Sequence, residues 1–367
     1  MELAYIAKAN IPSTAANSVH VMKICESFAE MCDDFCLIIP QNQENTTNMD
    51  KCFDIYGVTP FRVKTVKAAL SGIASCYIFA LKSVWRARKA SKIITRDPLV
   101  ALFAVILRKQ TILDLHGDLA HLCGRAYRMI KWKWFRDNKL LRLTVTTKGL
   151  KNFYTEKYGV PAERMLVLPN GYSDNSFLKV ERKEILKNEP MSIGYCGGFV
   201  SGKGLKLIHQ LAAKDNAYHY NLFGGTREDA EREMKSAFSE NVFFGGYVPS
   251  MKVPEILNEQ DILLLPNQEQ QICKNEDIGK ITSPIKMFEY MMSGRVIVAS
   301  DIPVLREILT DDNSFLVSPD DPEKWLETIR YIDGHREEAK LKANRAHVDV
   351  KKYTWKNRAK KLLELCQ

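Results

Sequence analysis

The chain has 367 residues, of which 46% are apolar, 26% charged and 10% aromatic, and it carries a net charge of +9. That length exceeds what one hydrophobic core usually supports, and the composition excludes disordered, collagenous and coiled-coil proteins. The longest weakly charged stretches, residues 69–81 and 98–107, fall well short of the ~20 apolar residues that span a bilayer.

The start, MELAYIAKAN, lacks a basic segment followed by an apolar one, so no secretory signal is expected. Nine scattered cysteines without a C-x-x-C pair fit reduced thiols, not a disulfide frame or a zinc site, and point to a cytoplasmic location. Charge is unevenly spread. Residues 1–180 hold 26 Lys and Arg against 15 Asp and Glu; the remainder holds 27 against 29. All the excess positive charge therefore sits in the first half, which predicts an anionic partner there.

Apolar β-branched runs alternate with amphipathic runs along the chain. Residues 3–7 read as a strand, and 17–31 as a helix with Val19, Met22, Cys25, Phe28 and Ala29 near helical spacing. Further strands are expected at 35–40, 92–95, 111–115, 143–146 and around Leu166. The polar stretch 173–190 has no periodicity and reads as a linker. A second strand series follows at 192–196, 219–223, 242–244, 262–265, 296–299 and 314–317, then a helix over 355–365. Strands alternating with helices imply βαβ units and parallel sheets. The expected fold class is α/β: two Rossmann-like domains facing a cleft, residues 1–172 and 191–349.

Two stretches carry chemistry. The first is a glycine-rich strand-to-helix turn, Gly194 to Gly204, containing Gly197, Gly198, Gly202 and Lys203. Backbone N–H groups unobstructed by Cβ atoms, beside a lysine at a helix start, suit a phosphate. Gly197 to Lys203 also fits the start of a Walker A motif, but Gly204 stands where that motif needs a magnesium-binding Ser or Thr. A tight turn that binds nothing is the bland alternative. The second stretch is Thr282 to Met291. Pro284 suits a helix start and Ser283 could cap it. Lys286 and Glu289, three apart, share a helical face, either as a surface ion pair or with the carboxylate holding a ribose diol.

Together these stretches resemble the retaining GT-B glycosyltransferases of family 4 type that build bacterial surface polysaccharides such as capsules and O-antigens. The resemblance spans nearly the whole chain. It includes Ala15 to Lys23, Leu113 to Gly117, Val167 to Tyr172, Ile193 to Gly204, Val242 to Val248, Asp261 to Pro266, Ser283 to Ser293 and the Tyr353-Thr354-Trp355 helix start. It implies a GT-B fold whose C-terminal segment, 350–367, packs back on the first domain. It implies transfer of a hexose-type sugar from a UDP- or GDP-sugar donor to a lipid-linked or glycan acceptor, without metal or other cofactor. Lys203 would neutralise the donor phosphate beside Gly197 and Gly198. Ser283, Pro284 and Lys286 would meet phosphate and ribose, Glu289 the ribose hydroxyls, and Tyr247 and Val248 the base. His116 would face the transferring sugar, while Asn17 and Ser18 belong to the acceptor side.

Three positions depart from the family pattern. Ile281 stands where an acid is usual, with Glu276 or Asp277 as its nearest substitutes. Gly198 replaces a frequent arginine, and Ala15-Ala16 a Gly-Gly pair. A metal site is the alternative reading of Asp114-x-His116-x-Asp118, but no metal is expected. The basic, aromatic segment around Lys131, Trp132, Lys133, Trp134 and Arg136 predicts a peripheral site on an anionic membrane at its inner face. No nucleic-acid motif accompanies it. Competing readings are a nucleotide-sugar epimerase, a non-catalytic nucleotide-sugar scaffold, an NAD-dependent oxidoreductase and a P-loop NTPase.

Overall fold

Strands β1 (Glu2–Ile6), β2 (Asp34–Pro40), β3 (Val63–Val66), β4 (Lys92–Thr95), β5 (Gln110–Leu115), β6 (Leu141–Val145) and β7 (Met165–Val167) form one sheet. Its order is β3-β2-β1-β4-β5-β6-β7, and every pair is parallel. The computed structural model describes residues 2–68, 72–118, 138–187, 189–273 and 276–365.

The second sheet contains β8 (Ser192–Cys196), β9 (His219–Phe223), β10 (Val242–Phe244), β11 (Ile262–Leu265), β14 (Val296–Ser300) and β15 (Phe315–Val317). A small antiparallel pair, β12 (Ile272–Cys273) with β13 (Glu276–Asp277), stands apart. The second sheet runs β10-β9-β8-β11-β14-β15, again all parallel. Such sheets must be apolar on both faces. Accordingly Ile262 and Leu264 join one core, with Trp325 and Ile329, while Leu263 and Leu265 join the other, with Phe288 and Leu305.

The chain divides into two units, Met1–Pro169 with Trp355–Gln367, and Asn170–Thr354. The stretch expected as a linker is held against the second unit. Ile185 and Leu186 enter its core, and Arg182 bonds the Gly294 carbonyl and Asn344. The helix Trp355–Glu364 belongs to the first unit, where Trp355 is buried edge-on to His20. No helix among the described residues is long and apolar enough to cross a membrane.

In both sheets the order reverses beside the first strand of the unit. In open parallel sheets ligands bind at such a reversal, outside the carboxyl ends of the strands. In the second unit that position is the turn after β8, between β9 and β11.

Candidate active site

The turn after β8 is shaped by close backbone approach. Gly204 has φ +84°, and a Cβ there would lie 2.0 Å from the Pro266 carbonyl oxygen. It begins the helix Leu205–Lys214 without a side-chain cap. Gly197 N–H donates to the Phe223 carbonyl at 2.8 Å, tying the turn to β9. On the other side Tyr290, from the helix Ile285–Ser293, accepts from Cys196 N–H at 2.7 Å and donates to its carbonyl at 3.2 Å. The glycine pair leaves room for two cations. A Cβ on Gly198 would meet Lys203 Nζ at 3.8 Å, and one on Gly197 would meet Lys286 Nζ at 3.5 Å.

For Lys286 the sequence leaves open a surface ion pair or a contact with the donor. Instead of a surface ion pair with Glu289, its ammonium lies 4.3 Å from the Tyr195 ring centroid, shielded from solvent. Nζ has no hydrogen-bond partner among the described residues. Burial, and then the charge of Lys203, bring its pKa down to about 7. Burial and Glu289 push the neighbouring Cys196 thiol up to about 12, so that thiol is inert.

Ser283 does not cap the helix as expected. Pro284 occupies the N-cap position with no side-chain cap, because Ser283 is turned toward Asn170. Asn170 donates its backbone N–H to Ser283 Oγ at 3.4 Å and its Nδ2 to the Ser283 carbonyl at 2.7 Å. Glu289 is half-buried one turn further along. Ile281, at the position of the missing acid, is buried. Asp277 is no replacement there: its Oδ1 accepts from the N–H groups of Gln271 and Gly279, holding its own loop. Val248 packs on the core beside the helix Ile285–Ser293, whereas Tyr247 is exposed and its hydroxyl donates to Asp229 at 3.4 Å.

The first unit builds a separate cluster at the end of β5. Asp114, fully buried, receives Arg358 in bidentate fashion, Thr144 Oγ1 at 2.7 Å and His116 Nε2 at 2.9 Å. Burial raises the Asp114 pKa, but the Arg358 guanidinium and the hydrogen bond with His116 outweigh it and hold the carboxyl well below the usual range. Burial, reinforced by Arg96, brings His116 down to about 3, so its ring is neutral. His20 packs edge-on at 4.4 Å from the His116 centroid, and neither of its nitrogens has a hydrogen-bond partner among the described residues.

The ligand atoms of His20, Asp114 and His116 lie within 4.8 Å of one another. They do not fit a cation. Arg358 takes both Asp114 oxygens, and Arg96 adds positive potential at both imidazoles. Nor does Asp118 join them, since it bonds Lys157 and Tyr158.

Asn17 stands exposed in the first turn of the helix Ala16–Met31 and accepts from Arg96. Ser18 is buried and donates to the Asn10 carbonyl at 2.7 Å. Lys131, Trp132, Lys133, Trp134 and Arg136 lie outside the described residues. Sequence reasoning missed Arg358, His20 and Arg96. Nothing local marks Arg358, whose partner is 244 residues away.

Residues 191–332 match the family model described as glycosyl transferases group 1. Among curated protein sequences, none matches the chain significantly. Similar solved structures include sucrose-phosphate synthase from Thermosynechococcus elongatus, at 14% identity and TM-score 0.75, covering 100% of this chain and 98% of that one. HepE of Anabaena, in complex with UDP and glucose, gives 15% identity, TM-score 0.74, and 100% and 99% coverage. WaaG, a glycosyltransferase involved in lipopolysaccharide biosynthesis, gives 13%, 0.66, and 99% of each chain. Two parallel-sheet units of seven and six strands are the GT-B fold. The match lies within the second unit, and together with the fold it supports a GT-B glycosyltransferase.

Proposed function

We propose that the protein transfers a hexose-type sugar, with retention, from a UDP- or GDP-sugar to a lipid-linked or glycan acceptor in surface-polysaccharide synthesis. The observation that carries this reading is the pair of lysines, Lys203 and Lys286, over the Gly197-Gly198 backbone at the sheet reversal. A diphosphate is the group that two cations and a glycine turn suit best. HepE and WaaG, named above, give the nucleotide-sugar and lipopolysaccharide context.

In the proposed reaction the bond from sugar C1 to the diphosphate oxygen breaks, and its electron pair stays with the diphosphate. The acceptor oxygen bonds to C1 on the same face, and its proton passes to the departing diphosphate. The chain supplies orientation and a preorganised positive field rather than a nucleophile. Glu289 holds the ribose, and no metal takes part. The first unit is assigned the acceptor, with Asn17 exposed on it.

A cytoplasmic protein acting at the inner membrane face is consistent with a surface of the first unit. On the helix Ile73–Arg86, Ile78, Leu81 and Trp85 are exposed beside Lys82 and Arg86. Leu81 and Trp85, with Val66 and Lys67, line a groove of about 680 Å³. Exposed aromatic and apolar side chains among cations suit anionic lipid.

Thermal shift against UDP, GDP, CMP, ATP with Mg²⁺, and NAD tests the donor reading. Ligand at ~100 Kd adds about 2.7 kcal/mol of stability. Stabilisation by UDP or GDP alone is expected; selective stabilisation by ATP or NAD would overturn the reading.

A further inference from the structure

Shielding the Lys286 ammonium from solvent beside the half-buried Lys203 costs free energy that its contact with the Tyr195 ring offsets only in part. The charge of Lys203 raises the cost of ionising Lys286, whose Nζ has no hydrogen-bond partner among the described residues in return. The arrangement makes sense as one half of a charge-balanced site whose other half is brought by a ligand.

We propose that Lys286 is a second leaving-group residue, closing with Lys203 on the donor diphosphate and taking up a proton as that diphosphate enters. The inference rests on the donor-site reading above and extends it to the protonation of the site. When C1 separates from the diphosphate, two ammonium groups rather than one stabilise the oxygen that receives the electron pair. The proton comes from solvent at nucleotide binding and returns to solvent at nucleotide release. The sugar transfer itself neither consumes nor produces it.

The groups facing Lys286 leave few other candidates for that proton. From β8 come Tyr195 and Cys196, from the turn Lys203, and from its own helix Glu289 and Tyr290. Burial pushes Tyr195, Cys196 and Tyr290 up, so all three stay neutral through the neutral range. Lys286 is brought down to about 7 by burial and by Lys203, and so loses much of its charge in the free protein just above neutrality. A bound dianion reverses the Lys203 effect and restores the charge.

The test is isothermal titration calorimetry with UDP and with GDP at about pH 8.5, in two buffers of different ionisation enthalpy. Wild type should take up about one proton per nucleotide, and Lys286→Met close to none. Above the Lys286 pKa of about 7, the wild-type Kd should weaken roughly tenfold per pH unit, and the Met variant should show a flat profile. At neutral pH Lys286→Met should bind roughly a hundredfold or more weakly, while its thermal midpoint stays at or above that of wild type. No proton uptake in wild type, equal uptake in both proteins, or variant binding within about twofold would overturn the inference. So would a lowered midpoint, which would mean the fold itself needs the lysine. Binding of neither nucleotide at any pH would strike down the donor reading and this inference together, a result distinct from proton-free binding.

Discussion

The guanidinium of Arg358 grips both carboxylate oxygens of Asp114, at 2.9 and 3.1 Å, across 244 residues of chain. Both side chains are almost completely excluded from water, at 3% and 0% exposure. Removing one partner of such a pair strands the other charge, which costs about 3–5 kcal/mol. Arg358→Met should therefore lower unfolding stability by about that amount, read from the urea midpoint. Arg358→Met combined with Asp114→Leu should recover part of the loss, because no lone charge remains. A single variant as stable as wild type would contradict the account.

Acid should weaken the first unit earlier than a carboxylate would explain. His20 and His116 are neutral when folded, with pKa values pulled down mainly by burial, to about 3 for His116. Unfolded, both take up a proton near pH 6.5, so the unfolded state binds more protons below that pH. Stability should be flat above about pH 6.5 and fall as pH drops toward 3, by up to ~1.4 kcal/mol per unit for each ring. Asp114, held well below the usual range, loses its contribution only at lower pH. Urea midpoints between about pH 7.5 and 4.5 measure the slope. His20→Gln should make it shallower; an unchanged slope would count against this source.

Lys203 lies at the start of the helix Leu205–Lys214, beside the glycine pair. Lys203→Ala should reduce kcat by roughly 10²-fold or more, the scale for losing one preorganised group at developing negative charge. Turnover assays on donor and acceptor check it, and near-normal kcat would remove its assigned role.

The glycines of the turn should separate folding from function. Gly204→Ala adds a Cβ 2.0 Å from the Pro266 carbonyl oxygen at φ +84°, and should cost at least about 3 kcal/mol. Gly198→Ala meets nothing closer than Lys203 Nζ at 3.8 Å. It should fold normally while weakening nucleotide binding. Equal thermal midpoints for the two variants would refute the distinction.

Trp85 is 66% exposed, with the Arg88 guanidinium 5.3 Å from its ring centroid. If this face meets lipid, Trp85→Ser with Arg86→Ser should reduce flotation with anionic vesicles several-fold, and wild type should float less with neutral ones. Equal wild-type flotation with both vesicle types would sink the electrostatic part.

The second sheet was the more legible in the amino-acid pattern. Its strands at 192–196, 219–223, 242–244 and 262–265 coincide with short apolar runs bounded by turn residues. The run at 262–265 is buried on both faces and needs no tertiary information to recognise, whereas 219–223 and 242–244, with His219 and Phe243 exposed, are marked by the glycine pairs that follow them. β3 escaped because Val-Lys-Thr-Val is a partly exposed strand at the sheet edge that reads as a loop. The glycine turn and Lys203 were visible because glycine and lysine at a strand-to-helix junction have few other uses. The environment of Lys286 was not, since spacing places it on a helical face but cannot tell water from the Tyr195 ring beneath it. Ser283 failed as a cap for a similar reason: its partner, Asn170, is 113 residues distant.

Because the Trp355–Glu364 helix belongs to the first unit, ribosomal synthesis must make the whole second unit before the first can be completed. At 5–20 residues per second, Asp114 waits roughly 10–50 s for Arg358. Throughout that interval the first sheet has its strands but not the counter-charge for its buried carboxylate. The nascent first unit is thus the vulnerable one, open to chaperones and proteases. A premature stop anywhere before Arg358 would leave an uncompensated charge in its core, marking the product for degradation.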